Sequence, residues 1–329
     1  MSRPEVVQVD GGLSAALAAC GPYVLVTDPV PAELFARDLA PPPAAVVMPA
    51  SLDRDELEAS SSEVADAETV VGFGGGMVLD AAKYLAHHLD RRLILVPTIA
   101  STNTAFTPFA SVREDGSPVG QRLAELQWRV VVDLALLRQA EPRLNRAGFG
   151  DLLGLETATA DGRLAVGAGR GPDISEDVGR AADEVVDRAI AVADEVGRTS
   201  DRGIATLVDL LASWSELSRV CPPLGAGTEH LFAWNLERVT GQRLLHGEAV
   251  ALGTVIAAHL QDGRTATLRE ALDRARVPWR PAELGLARAD LEVTLTTLAD
   301  YNRTVRRIPS VVDDRGDAAI SPDLWEAIT

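Results

Sequence analysis

The chain has 329 residues, an apolar fraction of 47% and a formal net charge of −17. This length suits two domains, and the apolar content is sufficient for a sizeable core. The excess of acidic over basic residues, together with the lack of any basic run in the sequence, opposes binding to nucleic acid or to an anionic membrane surface. Cys20 and Cys221 are the only cysteines and lie far apart, which excludes a disulfide framework and favours a reducing compartment.

The amino-terminal segment MSRPEVVQVDGG lacks the apolar core of a signal peptide. No run of the sequence has the length of apolar residues that a transmembrane helix needs. We therefore expect a soluble, cytoplasmic protein that acts on a small molecule.

The first half of the sequence predicts a parallel α/β domain. Short β-branched runs alternate with Ala- and Leu-rich segments of helical spacing such as Met77–Leu89, and these runs are Tyr23–Thr27, Ala44–Met48, Thr69–Gly72 and Leu93–Val96. Continuous apolar strands between helices are typical of a sheet that is covered on both faces. A hairpin turn is predicted at Glu114-Asp115-Gly116, and Trp128–Leu134 is predicted as a further strand.

A glycine-rich turn follows the third of these strands and leads directly into a helix. Gly74, Gly75 and Gly76 are followed by Asp80 and Lys83, which share one face of that helix. Backbone N–H groups at such a turn can bind a pyrophosphate at the amino terminus of the helix. The dinucleotide fingerprint is incomplete, since a methionine replaces its last glycine, and a plain tight turn remains the alternative.

The loop after the fourth strand is rich in hydroxyl groups. It reads Pro97-Thr98-Ile99-Ala100-Ser101-Thr102-Asn103. Ligands of open α/β sheets bind at the carboxyl ends of the strands, where short hydroxyl side chains can donate to phosphate or ribose. This loop is therefore a second candidate for ligand binding.

The second half of the sequence predicts helices only. Apolar residues recur at three- and four-residue spacing in Glu176–Glu195, Ile204–Val220 and Thr265–Arg276. We predict an α/β domain over residues 1–145 and an all-α domain over residues 146–329. Asp151, in the segment AGFGDLLG, is interpreted as lying at a helix start, where an acidic residue is often only a cap.

Two histidines in the segment from Gly227 to Gly253 suggest a metal site. His230 and His246 each lie in a run with helical character. Two imidazoles from neighbouring helices suit a borderline divalent metal such as zinc or iron. The H-E-x-x-H signature is absent, so capping or packing roles for both rings remain the alternative.

The order of these features resembles the superfamily of iron-containing alcohol dehydrogenases, glycerol dehydrogenases and dehydroquinate synthases. The motifs that carry the resemblance are GGGMVLDAAK, PTIAST, GFGD and GTEH…LHGEAVALG. Three segments are most similar to the corresponding segments of glycerol-1-phosphate dehydrogenases, namely VPTIASTNTAFTPFASV, RAGFGDLL and GTEHLFAWNLE. The resemblance extends from Tyr23 to about His259. It implies a dehydroquinate synthase-like fold, with a Rossmann-like NAD(P)-binding domain followed by a helical, metal-binding and catalytic domain.

The resemblance also implies roles for individual residues. Asp151, His230 and His246 would hold one divalent ion, zinc, iron or nickel, between the two domains. Asn103 would act with these ligands in catalysis and would contact the substrate together with Arg113. NAD, or else NADP, would be bound by Asp28, Gly74, Gly75, Gly76, Asp80, Lys83, Thr98, Ser101, Thr102, Thr107 and Phe109. An acidic residue at position 28 would bind the adenosine ribose and favour NAD over NADP.

The activity that the resemblance implies is hydride transfer between nicotinamide and a small polyol or hydroxy-ketone, with or without a phosphate. The resemblance also implies a homo-oligomer, either a dimer or a larger assembly. Arginines at positions 303, 306 and 307 would suit a phosphate, although a solvated surface group is the alternative.

Two other functions remain as alternatives. A cyclase of the dehydroquinate synthase type needs several active-site lysines, but Lys83 is the only lysine and Gly154 stands three residues after Asp151. A non-catalytic binding protein that kept the fold is the third possibility. The presence of all three predicted ligands argues against it.

Overall fold

The computed structural model describes residues 3–18, 20–35, 39–64, 67–114, 116–123, 126–316 and 319–329. The chain divides into two compact units, Met1–Glu141 and Pro142–Thr329. The division falls slightly before the predicted boundary at residue 145, because a long helix begins at Pro142.

The first unit is built on a six-stranded parallel sheet in the order β1-β8-β5-β4-β2-β3. Its strands are β1 (Glu5–Val9), β2 (Tyr23–Thr27), β3 (Ala45–Val47), β4 (Thr69–Gly74), β5 (Arg92–Pro97) and β8 (Trp128–Asp133). Every residue of β2 and β4 is buried, as expected for strands with helices on both faces. The predicted parallel α/β layer is therefore confirmed.

The remaining elements of this unit are short except for one helix. They are α1 (Leu13–Leu17), α2 (Pro29–Phe35), α3 (Arg54–Ala59), α4 (Ser61–Val64), α5 (Gly76–His88), a 3-10 turn (Thr104–Phe106), β6 (Phe109–Glu114), β7 (Ser117–Arg122) and α6 (Leu134–Leu137). Strands β6 and β7 pair antiparallel as a separate hairpin. The predicted turn of this hairpin includes Asp115, which lies outside the described residues.

The order of the strands creates a topological switch point at the carboxyl edge of the sheet. The connection after β2 leads to β3 on one side, whereas the connection after β4 leads to β5 on the other. Ligands of open α/β sheets bind where the direction of the connections reverses. Asp28 follows β2, and Gly75 follows β4, so both residues lie at this switch point.

The second unit contains only helices among the residues described, which confirms the predicted all-α layer. They are α7 (Pro142–Gly167), α8 (Glu176–Ala191), α9 (Ala193–Gly197), α10 (Asp201–Val220), a 3-10 turn (Pro222–Gly225), α11 (Thr228–Thr240), α12 (His246–Leu260), α13 (Thr265–Arg274), α14 (Arg288–Thr296), α15 (Leu298–Tyr301), a π-helix (Asn302–Arg306), α16 (Val312–Arg315) and α17 (Pro322–Ile328). The segment predicted as one helix over Glu176–Glu195 is interrupted at Val192. Among the described residues, no helix combines the length and the apolarity of a membrane span.

The position of Asp151 differs from the prediction. The residue does not open a helix but lies well inside α7, which has 26 residues and begins at Pro142. Its side chain is buried and cannot act as an amino-terminal cap. The prediction was wrong because the glycines around Asp151 resemble a helix boundary, whereas here they allow close helix packing.

Three glycines bring α7, α11 and α12 into backbone contact. A Cβ atom on Gly150 would lie 2.3 Å from the carbonyl oxygen of Gly247, and one on Gly247 would lie 1.8 Å from that of Ala147. A Cβ atom on Gly253 would lie 2.4 Å from the carbonyl oxygen of Glu229. Only glycine permits these separations, and each one occurs beside a predicted ligand or its sequence neighbour.

Candidate metal and cofactor sites

Asp151, His230 and His246 meet at one point in the second unit. One ligand atom from each lies within 4.8 Å of the others. Asp151 Oδ1 is 3.3 Å from His230 Nε2 and 3.4 Å from His246 Nε2. Three helices contribute one residue each, and the glycine contacts described above set the spacing.

The donor set fits a divalent metal ion. Metal–nitrogen and metal–oxygen bonds of about 2.0–2.2 Å in tetrahedral geometry place neighbouring ligand atoms roughly 3.3 Å apart. Asp151 Oδ1 is buried without a hydrogen-bond partner, and such an orphaned acceptor calls for a bound ion or water. The His246 side chain is 40% exposed, which leaves one side of the cluster open for a substrate atom.

The charges at this cluster are strongly coupled. Burial raises the pKa of Asp151, but the neighbouring His246 and His230 outweigh it and lower the pKa to about 2. Burial lowers the pKa of His230, but the nearby carboxylates of Asp151 and Glu229 raise it to about 9. His230 thus carries a proton at neutral pH unless a metal ion takes the place of that proton.

Glu229 orients the His230 ring, a role that the sequence did not reveal. Its Oε1 atom is 2.8 Å from His230 Nδ1, so that Nδ1–H donates to the carboxylate and Nε2 faces the cluster. The hydroxyl of Thr157 donates to the other carboxylate oxygen, and the backbone N–H of Gly227 donates to Oε1. The Glu229 carboxylate is fully buried, and its contacts with His230, Thr157 and Gly227 fix its position.

A second buried carboxylate, Asp161, holds the start of α11. It accepts hydrogen bonds from the backbone N–H groups of Thr228 and Val311 and from the amide of Gln261. Burial, together with the adjacent Glu229 carboxylate, raises the pKa of Asp161 to about 7. The residues Gly227 and Thr228 of the GTEH motif thus belong to the framework behind His230.

We expect Glu229→Gln to weaken metal binding about 10- to 100-fold, because the neutral amide supports the His230 tautomer less well. Zinc affinity measured by competition with a chelator tests this expectation. Glu237→Gln, on the same helix but half-buried and 3.7 Å from Arg243, is the matched control. An unchanged affinity in Glu229→Gln would assign this carboxylate a purely structural role.

The glycine turn of the first unit presents an open helix terminus. Gly75 is the N-cap of α5 and Gly76 its first residue, and no side chain caps the exposed N–H groups. Gly74 contacts Val78 so closely that a Cβ atom would lie 2.7 Å from Val78 Cβ. The terminus therefore fits an anionic group such as a pyrophosphate, with the helix dipole adding to the attraction.

The hydroxyl loop lies beside this terminus. The backbone N–H of Thr98 donates to the carbonyl of Gly74, and the hydroxyl of Thr102 donates to that of Thr104. A Cβ atom on Gly76 would meet both threonine hydroxyls at ordinary contact distance. Ser101 is buried in the same loop, and the half-buried Asp28 stands past the end of β2.

Lys83 has a structural role in the first unit, and its predicted cofactor contact remains a prediction. The side chain is fully buried, and its ammonium donates to the carbonyls of Thr104 and Phe109 and pairs with Asp80 at 2.8 Å. An ammonium has three N–H donors, and these partners use all of them. Lys83 and Asp80 therefore hold the loop that follows β5.

The other predicted residues of this unit lie in the same loop and hairpin. Asn103 and Thr107 flank the 3-10 turn, and Phe109 begins β6 with its side chain 42% exposed. The guanidinium of Arg113 donates to the carbonyl of Gly116 within the hairpin, and its predicted substrate contact remains a prediction. Asn103 and Thr107 are half-buried, and their predicted roles remain predictions.

The three carboxyl-terminal arginines do not behave alike. Arg303 is exposed and pairs with Asp300 at 2.6 Å. Arg307 is exposed and ends the π-helix in the left-handed conformation. Arg306 is half-buried, and its guanidinium carbon lies 4.2 Å from the centre of the Trp234 ring. The sequence left a solvated surface group as the alternative to a phosphate site. This alternative fits Arg303 and Arg307 but not Arg306.

Comparisons with known proteins show which family the chain is similar to. A family model described as iron-containing alcohol dehydrogenase matches residues 25–141. A glycerol-1-phosphate dehydrogenase, NAD(P)+, of Aeropyrum pernix is 30% identical over 305 residues, 89% of this chain and 86% of that protein. A namesake from Hyperthermus butylicus is 34% identical over 220 residues, 66% of this chain and 62% of that protein, so this second match spans just under two thirds of the relative's length.

A solved structure shares the fold over nearly the whole chain. The probable glycerol dehydrogenase from Sinorhizobium meliloti 1021 superposes with a TM-score of 0.75 at 21% identity, covering 99% of this chain and 96% of that one. The predicted resemblance and the predicted dehydroquinate synthase-like fold are confirmed.

Proposed function

This chain belongs to the family of iron-containing alcohol dehydrogenases, and from that premise we propose that it is a metal-dependent, NAD(P)-linked dehydrogenase of a small polyol or hydroxy-ketone. The observation that carries the proposal is the convergence of Asp151, His230 and His246 around an orphaned carboxylate oxygen. The names of the two glycerol-1-phosphate dehydrogenase relatives support the same reaction class.

We propose that Asp151, His230 and His246 hold the metal ion, which would be zinc, iron or nickel. When bound, the metal supplies a Lewis acid for a carbonyl oxygen, and NAD(P) supplies or accepts the hydride. Glu229 keeps Nδ1 of His230 protonated, so that Nε2 remains available as a ligand. The open side of His246 admits the substrate.

In the first unit, the proposed cofactor site consists of the α5 terminus and the adjoining loops. The N–H groups at Gly75 and Gly76 would bind the pyrophosphate, and Asp28 would accept hydrogen bonds from the adenosine ribose. Thr98, Ser101 and Thr102 would border the cofactor, with Thr107 and Phe109 beside the nicotinamide. Asn103 would bind the substrate and share in the proton path.

The cyclase alternative has no support in the site. Such a reaction needs several lysines, but the single lysine of the chain is fully buried and its donors are occupied. Gly154, three residues after Asp151, packs against Glu229 and offers no side chain to a substrate. A non-catalytic role is opposed by the intact ligand cluster.

The test is NADH or NADPH oxidation with dihydroxyacetone phosphate, dihydroxyacetone and a panel of hydroxy-ketones. We expect chelated protein to be inactive and one added divalent metal to restore the rate. A chelated protein that keeps its full rate, or a metal-loaded protein that binds neither NADH nor NADPH, would contradict the proposal. Light scattering and cell fractionation test the predicted homo-oligomer and the cytoplasmic location.

A further inference from the structure

The first turn of α12 carries His246 and is held against α7 at two points. His246 is the first residue of α12, and no side chain caps this terminus. Gly247 lies so close to α7 that a Cβ atom on it would be 1.8 Å from the carbonyl oxygen of Ala147. The next residue, Glu248, accepts two hydrogen bonds from Arg143 on α7, one from Nε at 2.6 Å and one from a terminal nitrogen at 2.8 Å.

The ion pair of Arg143 and Glu248 joins two helices instead of closing the end of one. Glu248 is the third residue of α12, a position from which an acidic side chain often folds back onto the N-cap backbone. Here the side chain is 1% exposed, and its oxygens face Arg143, which lies one turn before Ala147 on the same face of α7. A paired contact between guanidinium and carboxylate fixes an angle as well as a distance. The glycine contact thus sets the separation of the helices, and the ion pair sets the rotation of α12.

His246 needs this support because its ring has no orienting carboxylate of its own. Nδ1 of His230 donates to Glu229. In the part of the chain that the structure describes, no residue accepts a hydrogen bond from Nδ1 of His246, and its ring contacts are Asp151 and His230. The side chain is also 40% exposed, so its neighbours cover it incompletely. The position of His246 therefore depends on the helical turn that carries it.

A small rotation of α12 would be enough to remove His246 from the cluster. A side-chain atom lies about 6 Å from the axis of its helix, so a rotation of about 10° moves it by about 1 Å. Metal–ligand distances tolerate deviations of only about 0.2 Å. Any contact that fixes the rotation of the first turn therefore bears directly on metal affinity.

We propose that Arg143 and Glu248 are positioning residues that hold His246 at the metal cluster. The inference rests on the proposed metal-dependent function and adds a support for its most exposed ligand. Glu229 bonds the ring of His230, whereas Arg143 and Glu248 act through the backbone of the first turn of α12. Groups that orient a ligand in this way typically change metal affinity about 10- to 100-fold when they are removed.

Zinc affinity, measured by competition with a chelator, tests the proposal without reference to catalysis. For Arg143→Gln we expect a loss of about 10- to 100-fold, and Arg143→Lys should restore part of it, because lysine keeps the charge but not the paired geometry. In the His246→Ala background, Arg143→Gln should change the residual affinity less than about twofold, because the pair acts through this ligand. The visible spectrum of cobalt-loaded Arg143→Gln should shift towards that of His246→Ala, since cobalt absorption reports the number and geometry of the ligands.

Arg264→Gln is the matched control for these measurements. Arg264 makes the same kind of paired contact with α7, through Glu156 at 2.9 Å and 2.7 Å, but it stands at the start of α13, which carries no predicted ligand. We expect this variant to unfold at a lower urea concentration while it keeps the zinc affinity and the cobalt spectrum of wild type.

Two outcomes would refute the positioning role. They are a wild-type zinc affinity in Arg143→Gln, and an equal loss of affinity with and without the His246 side chain. The dehydrogenase function is tested separately. If zinc binding depends on Arg143 through His246 while no ketone is reduced, the dehydrogenase assignment fails and the positioning role stands.

Discussion

Asp151→Asn is expected to lower kcat/KM about a thousand-fold or more and to remove stoichiometric metal. The substitution keeps the shape of the side chain but removes the negative charge, and Lewis-acid catalysis contributes several kcal/mol to the barrier. Metal content by elemental analysis and steady-state NADH oxidation measure the two effects. Asp183→Asn is the control, since Asp183 forms an exposed pair with Arg163.

The two histidines should differ in what their loss does to the fold. His246 is 40% exposed, whereas the His230 side chain is 7% exposed, packs between Trp214 and Trp234 and contacts Glu229. His246→Ala should therefore lose metal with little change in melting temperature, while His230→Ala should lose both metal and stability. A full complement of zinc in His246→Ala or Asp151→Asn would refute the ligand set.

The central strands of the sheet were predictable because they are buried on both faces. A continuous β-branched run such as YVLVT in β2 is typical of a strand inside a covered sheet, and its bounds were predicted to the residue. The first strand, EVVQV, was missed for the opposite reason. It lies at the edge of the sheet and is largely exposed, so no strong apolar pattern marks it.

The site was harder to predict because tertiary packing defines it. Without the family resemblance, the sequence predicted only that Asp151 caps a helix. The order of the motifs was needed to associate it with His230 and His246 as a metal ligand. Glu229 was unassigned, since nothing in GTEH reveals which way the carboxylate points. Arg306 belongs to a predicted arginine group, but its stacking depends on the ring of Trp234, which lies far away in sequence.

Gly247→Ala is expected to be the most damaging glycine-to-alanine substitution in the described part of the helical unit. The added Cβ atom would lie 1.8 Å from the carbonyl oxygen of Ala147, so α12 must move away from α7. Overpacking of this kind lowers the free energy of unfolding by about 1–3 kcal/mol and occasionally by more. Because the clashing atom belongs to the backbone of α7, it can move only together with that helix. Because His246 is the preceding residue, metal affinity should fall together with the free energy of unfolding.

Gly167→Ala provides the matched comparison for this prediction. Gly167 is the last residue of α7, and a Cβ atom there would meet nothing within 4 Å. Alanine should stabilise the protein by about 0.4–1 kcal/mol, because it restricts the unfolded chain without a clash. Urea unfolding of both variants, followed by zinc titration, measures the contrast. If Gly247→Ala unfolds at the same urea concentration as wild type and binds zinc equally well, backbone contact between α7 and α12 does not set the geometry of the ligands.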